Sequence, residues 1–425
     1  MSVAQQTLAR ELALHGGTPV RDLEQRPFPR WPVFWDDEKQ AVREVLDSGH
    51  VNYWTGERGR QFQAEFAAYM GVKEAIAVNS GTSALHVALA AAGVGPGDEV
   101  IVPARSFIAS ASAVTNQYAA PIFADIDPVT HTISVDSVAE RITPRTSAII
   151  PVHLAGLPAD MDPLLNLARK HGLAVVEDCA QAHGATYRGK KVGSLGTVNA
   201  WSFCQDKIFT TGGEGGMVGA NDAEAAEVAR SFRDHGFHEA ERRSALARGS
   251  LNQYTHYRVG FNYRMTEMQS AIGLKALARL DWHLQRRREN AHYLTAGLRE
   301  LDSVLSPTPE TPESEHAFYC YYVTLDLAQL TCTRDEFVRA VQAEGVRAAR
   351  GTSAELYLEP VYQQRVGYGN AHAPFDAVDY TRVECPHAKD IGARSFRLEV
   401  YPTLQQEDLD DVLDAIRKVA AAFRA

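Results

Sequence analysis

From about residue 74 the chain alternates between short runs of apolar, often β-branched residues and longer stretches with one apolar stripe. The run EAIAV precedes a helix predicted over 82–92, EVIVPA precedes one near 108–117, and SAIIPVHL precedes one near 161–171. AVVED, NAWSFC and GGMVGA follow as further strands. Apolar runs separated by helices predict a mostly parallel central sheet covered by helices on both faces. Before this rhythm, residues 1–35 read as an irregular arm in which Pro27, Pro29 and Pro32 interleave with Trp31, Phe34 and Trp35. Asp36 then reads as the N-cap of a helix reaching Leu46. Around 264–301 the pattern predicts one long, charged helix. FYCYYVTLD reads as a strand, Thr333 with Glu336 as a capping box, and the last helix carries Leu409, Val412, Leu413, Ile416, Val419 and Phe423 on one face. The expected division is an arm over 1–35, a large α/β domain over 36–280 and a smaller α+β domain over 281–425.

Composition narrows the classes. At 425 residues the chain exceeds what one core usually supports. A net charge of −10 argues against a nucleic-acid or anionic-membrane surface. The first residues lack the apolar stretch of a secretory signal, and no run is long enough to span a membrane. Five scattered cysteines without CxxC spacing fit reduced thiols, and neither a disulfide framework nor a zinc site. A cytoplasmic location is expected.

Three local features carry candidate chemistry. In NSGTSALHVALA, Asn79–Ala90, a strand passes through a Ser-Gly-Thr-Ser turn directly into a helix. Such a junction offers backbone N–H groups and a helix dipole to an anion, although an ordinary capped turn has the same look. The glycines of GVGPG lie after a helix and before a strand, the reverse of a dinucleotide fingerprint. In WSFCQDKIFTTGGEGGMV, Lys207 follows a buried-looking strand and precedes a glycine-rich turn. There an amine could be desolvated and made nucleophilic, whereas most lysines are simply solvated. In LAVVEDCAQAHGA an apolar strand ends on Glu177 and Asp178, and a buried carboxylate needs a cation or hydrogen bonds. Lysine, anion turn and carboxylate on one α/β sheet match the needs of pyridoxal phosphate: an amine for its aldehyde, a cradle for its phosphate and a partner for its ring nitrogen.

The blocks NSGTSALHVALAAAGVGPGDEVIVPARSFIASASAV, PVHLAG, VVEDCAQAHGA, SFCQDKIFTTGGEGG, GFNYRMTEMQSAIG and CPHAKD make the chain resemble the DegT/StrS-type sugar aminotransferases, which are fold-type I pyridoxal-phosphate enzymes. The resemblance implies that Lys207 bonds the cofactor and that Asp178 partners its ring nitrogen. Gln181 would donate to the ring oxygen O3′, while Thr82, Ser83 and Ser202 would hold the phosphate. Phe107 would stack on the ring, and Asn262 would reach the phosphate in the neighbouring subunit, making a homodimer with shared active sites. His183 and Tyr263 are candidates for the substrate side. His183, His153, Glu177 and the tyrosines of FYCYYV also have a plain structural reading, as core or local pairing.

The reaction implied is transfer of an amino group from L-glutamate or L-glutamine to a keto-sugar or keto-cyclitol. Gln205-Asp206 before the lysine and GGEGG after it depart from the commonest pattern and lean toward members that act on cyclitols or make aminohydroxybenzoate. A sugar dehydratase of the same fold replaces the lysine, which is present here. A non-catalytic cofactor-binding regulator would have no need of it.

Overall fold

The apolar runs pair into one seven-stranded sheet in the computed structural model, which describes residues 11–249, 255–307, 309–351, 355–368, 372–375 and 378–425. Its strands are β1 (Glu74–Val78), β2 (Glu99–Pro103), β3 (Ala120–Ala124), β4 (Thr146–Ile149), β5 (Ala174–Asp178), β6 (Val198–Ser202) and β7 (Gly216–Ala220). Across the sheet they run β1-β7-β6-β5-β4-β2-β3. Neighbours from β6 to β3 are parallel, and β7 is antiparallel to both β1 and β6. Alternate residues of each strand feed opposite faces. Ala77, Ile101, Val175, Trp201 and Met217 join one core, and Val78, Val100, Val176, Ala200 and Val218 join the other. That is why the strands read as continuous apolar runs. Strand β3 escapes the pattern because Pro121 interrupts it. A proline is tolerated at an edge, and β3 is the edge.

Helices α1 (Asp36–Ser48), α2 (Arg58–Met70), α3 (Gly81–Ala91), α4 (Ala109–Asn116) and α5 (Met161–His171) belong to this half of the chain. The long helix expected over 264–301 is two, α6 (Glu267–Ala278) and α7 (Leu280–Leu298), parted at Arg279, whose ψ of 1° leaves the helical region. The second sheet is antiparallel. It joins β8 (Leu305–Pro307), β9 (Tyr321–Leu325), β10 (Ala348–Ala349) and β11 (Ser395–Leu398) in the order β8-β9-β11-β10. Against it pack α7, α8 (Arg334–Ala343) and α9 (Gln406–Phe423). Thr333 and Glu336 do form a capping box on α8.

The cores cross position 280 in both directions. Leu356, Tyr362, Phe375, Tyr380 and Ile391 join the cluster of β1 and β2, and Leu12 and Phe28 of the arm join that of the second sheet. Buried Glu344, beyond the end of α8, accepts from the N–H groups of Ala13 and Val20 and pairs with Lys418 of α9. The tyrosines of FYCYYV divide between the two cores, Tyr321 and Tyr322 by strand alternation and Tyr319 from the segment before the strand. Tyr321 enters the second-sheet core, while Tyr319 and Tyr322 turn toward the first.

Candidate active site

The parallel strands end along one edge, where ligands of open α/β sheets bind. Asp178 is the last residue of β5 and Ser202 the last of β6, one strand over. Helix α3 begins just above them. Its N-cap Ser80 accepts the N–H of Ser83 at 3.1 Å, and the Ser83 hydroxyl donates to Asn79 at 2.7 Å. Two glycines permit the approach. A Cβ on Gly216 would lie 2.3 Å from the Ser80 carbonyl oxygen, and one on Gly81 would lie 2.5 Å from the Ser202 Cβ. The helix start therefore rests directly on the strand ends, with the Ser202 hydroxyl beside it and Thr82 exposed. First-turn N–H groups have no partner inside a helix. Together with these hydroxyls they fit a phosphate.

Asp178 is 5% exposed, and no cation pairs with it among the described residues. It accepts the Ser110 hydroxyl at 2.8 Å and the Ala180 N–H at 3.1 Å. Burial holds its carboxyl above the ordinary carboxylate range, opposed by the bond from Ser110. Such a group suits a protonated ring nitrogen, since opposite charge restores the ionised form. Gln181 is buried, and its Oε1 takes the Ala155 N–H at 2.7 Å, so the amide nitrogen is the end left to donate. Lys207 is half-buried on the turn after β6, its Nζ 4.5 Å above the centre of the Tyr319 ring. Tyr319 in turn donates its hydroxyl to Asp206. The Trp31 indole of the arm donates to the Lys207 carbonyl at 3.0 Å. This donor set, with an amine, an unpaired buried carboxylate and a helix-start cradle, fits pyridoxal phosphate.

Adjacent Glu177 has a different task. It is fully buried and accepts four donors: the N–H groups of Gly193, Leu195 and Gly196 at 2.7, 2.8 and 2.5 Å, and His153 Nε2 at 3.1 Å. His153 Nδ1 takes the Ala159 N–H at 3.0 Å, which assigns the proton to Nε2. His153, Glu177 and Cys179 bring potential ligand atoms within 4.8 Å of one another, but both histidine nitrogens and both carboxylate oxygens are already engaged. The triad supports the strand end.

The remaining expected residues separate. Phe107 stands 58% exposed on the loop after β2, with its ring free to cover a ligand. Asn262 is exposed and bridges Asp234 through its backbone. Tyr263 packs inward, its hydroxyl 3.1 Å from His86 Nδ1, and its carbonyl accepts the N–H of Asn79 at 2.8 Å. His183 does not reach the cleft. It is fully buried against Phe203 and Phe209, and burial, with Lys207 nearby, pushes its ring down to about 3. Ser110, Trp31 and Tyr319 were not foreseen. The signal for Ser110 was its place three residues after Phe107, on the first turn of α4; Trp31 and Tyr319 come from distant segments.

A family model described as DegT/DnrJ/EryC1/StrS aminotransferase family matches residues 34–417. The chain is 40% identical over 386 residues to GDP-perosamine synthase of Caulobacter vibrioides, covering 90% of this chain and 95% of the relative. It is 38% identical over 427 residues to L-glutamine:2-deoxy-scyllo-inosose aminotransferase of Streptomyces lividus, covering 98% and 97%. Among solved structures, the aminotransferase from Psychrobacter cryohalolentis is similar with a TM-score of 0.85 and 41% identity, over 93% of this chain and 99% of that one. No helix among the described residues is long and apolar enough to cross a membrane.

Proposed function

Because this chain belongs to the DegT/DnrJ/EryC1/StrS aminotransferase family, we propose that it uses pyridoxal phosphate to move an amino group from L-glutamine or L-glutamate to the ketone of a cyclitol ring. The observation that carries the cofactor reading is the convergence of Lys207, unpaired Asp178 and the α3 start on one sheet edge. The cyclitol preference is supported by the likeness to the Streptomyces lividus enzyme, which covers 98% of this chain and takes in Trp31 of the arm. Its indole holds the Lys207 backbone and borders a cleft of about 400 Å³ with Gln205, Gly212 and Gly213.

When bound, pyridoxal phosphate supplies an electron sink for a carbanion at the donor Cα. Asp178 would keep the proton on the ring nitrogen, and Gln181 would orient the ring through its amide N–H. Ser83, Ser202, Thr82 and the α3 N–H groups would hold the phosphate. Lys207 Nζ would carry the proton from the donor Cα to the cofactor carbon C4′, and would run the same transfer in reverse on the ketone. Asn262 would reach the neighbouring subunit's cofactor, in a homodimer with shared sites. Val259, 81% exposed, and Phe261 flank Asn262 with apolar surface that a second copy would cover.

The test is spectroscopic. Yellow holoenzyme should lose its visible band with L-glutamine or L-glutamate and regain it with a polyhydroxylated cyclohexanone. Recovery only with a nucleotide-linked keto-sugar would overturn the cyclitol reading. No bleaching with any amino acid would overturn the aminotransferase reading.

A further inference from the structure

PVHLAG, Pro151–Gly156, ends in two residues that both lie in the left-handed region, Ala155 at φ 58° and Gly156 at φ 100°. A side chain makes that conformation uncommon at Ala155, and it persists where the surroundings impose it. The turn is a seat for Tyr319. The Ala155 carbonyl accepts the Tyr319 N–H at 2.8 Å, and the Gly156 carbonyl accepts that of Ala317 at 3.0 Å. The two backbones come so close that a Cβ on Gly156 would lie 2.8 Å from the Phe318 nitrogen. Ala155 also donates its own N–H to Gln181. Tyr319 and the Gln181 amide therefore hang on one anchor.

Arg287 of α7 fixes the carbonyl end of the tyrosine. It is fully buried, and its Nη1 donates to the Phe318 and Tyr319 carbonyls at 3.1 and 3.0 Å. Its guanidinium also lies 5.2 Å from the centre of the Trp31 ring. Asp206, the residue before Lys207, fixes the hydroxyl end. Burial and that carboxylate push the phenol far up, so it stays a protonated donor and is not itself a base. With N–H, carbonyl and hydroxyl all engaged, what Tyr319 still offers is the face of its ring. That face lies 4.5 Å from Lys207 Nζ. No carboxylate pairs with Nζ among the described residues, and Asp206 spends its own on the phenol. A ring face attracts an ammonium, and a phenol that donates to a carboxylate has a more negative face.

We propose that Tyr319, held by Asp206, is the platform on which the Lys207 amine rests whenever the cofactor holds a substrate nitrogen in place of the lysine. The proposal rests on the aminotransferase reading above and adds the residue that positions its lysine. Released in each half-reaction, the amine must stay within reach of the carbons between which it carries a proton. A carboxylate at this place would grip the ammonium as an ion pair and hold its proton. A ring face steadies the charge and leaves the Nζ hydrogens free to be passed on. Asp206, which departs from the commonest residue before the lysine, is thus the group that keeps this ring in place.

The experiment reads Lys207 directly. Reductive methylation of the full-length, cofactor-free protein with isotopically labelled formaldehyde puts methyl groups on each lysine and keeps its charge. Carbon NMR then resolves them, and the Lys207→Ala variant identifies the Lys207 signal. Held over an aromatic face, that signal should lie upfield of the other lysines in wild type, stay upfield in Tyr319→Phe and join the others in Tyr319→Leu. In holoenzyme that circular dichroism and the cofactor band show to be folded and loaded, bleaching at saturating L-glutamine or L-glutamate should slow roughly five- to thirtyfold in Tyr319→Leu. Tyr319→Phe and Asp206→Asn keep the ring and should slow less. The donor concentration for half-maximal bleaching should change less than about twofold, since the ring does not bind the donor. A wild-type Lys207 signal among the ordinary lysines would overturn the proposal without any variant. So would a Tyr319→Leu enzyme that bleaches at the wild-type rate, or a Tyr319→Phe enzyme as slow as Tyr319→Leu. Wild-type holoenzyme that no amino acid bleaches would refute the parent reading, whereas the place of the Lys207 signal is read without any donor.

Discussion

Replacing Glu177 by Gln should destabilise the protein far more than removal of one charge suggests, because of which atoms surround it. The two carboxylate oxygens accept four donors, two apiece: Leu195 and Gly196 on Oε1, Gly193 and His153 on Oε2. Glutamine has one oxygen and one NH₂. Whichever way the amide turns, its nitrogen faces two N–H groups that have no other acceptor. His153 cannot relieve the conflict by shifting its proton, since Nδ1 is accepting from Ala159. Each buried donor left unsatisfied costs about 1–3 kcal/mol, so the pair costs about 2–6 kcal/mol. That is a large share of a total stability that is typically about 5–15 kcal/mol. The assay is urea unfolding of cofactor-free protein followed by circular dichroism and by tryptophan fluorescence. Coincident transitions are needed before the midpoint is read as a free energy. Asp178→Asn is the control: it loses the same formal charge one residue away, but among the described residues its carboxylate accepts only Ser110 and Ala180. If Glu177→Gln falls within about 1 kcal/mol of wild type, the four-donor account of this carboxylate is wrong.

Three further outcomes follow from the site. Lys207→Ala should abolish turnover with the fold intact, and borohydride treatment of wild type should label Lys207; a label on another lysine would sink the assignment. Asp178→Asn should slow transamination severely in the holoenzyme. Cofactor-free, it should also change the pH profile. A carboxyl raised on folding gives stability that is full below its unfolded value, near 3.8, and lost as pH rises through the folded value. Thermal melts should therefore show the variant gaining on wild type as pH rises above about 4, and a difference independent of pH would refute this. Mixing Lys207→Ala with Asn262→Ala subunits should give one hybrid pocket with wild-type cofactor affinity if Asn262 serves the neighbouring chain. Hybrid pockets no better than those of the Asn262→Ala homodimer would exclude sharing.

Much of this was legible in the sequence because it is local. A buried parallel strand declares itself as an apolar run, and β5 declares its end by placing Glu177 and Asp178 after Val176. What the residues alone did not separate was the two carboxylates. Glu177 is satisfied by a loop that returns 16 to 19 positions later, and only the folded path shows it. His183 misled for the same reason. It shares the segment of Asp178 and Gln181, yet its side chain turns into the aromatic packing of Phe203 and Phe209. Trp31 and Tyr319 were silent because their meaning comes from contacts 176 and 113 positions away. The break at Arg279 has no proline or glycine to announce it.

The way Lys207 is held has a consequence for synthesis. Its carbonyl is gripped by Trp31 near the start of the chain, and its amine rests on Tyr319, far downstream. Strand β1 cannot pair until β7 exists, and Tyr322 gains its neighbour Arg397 only when the last strand has emerged. A nascent chain on the ribosome would thus carry Lys207 through much of the later half of translation without these surroundings. Long-range pairing of this kind is slow and leaves strand edges waiting. Pyridoxal phosphate bound at this site would accordingly load late, as a seal on a finished molecule rather than as a template for its folding.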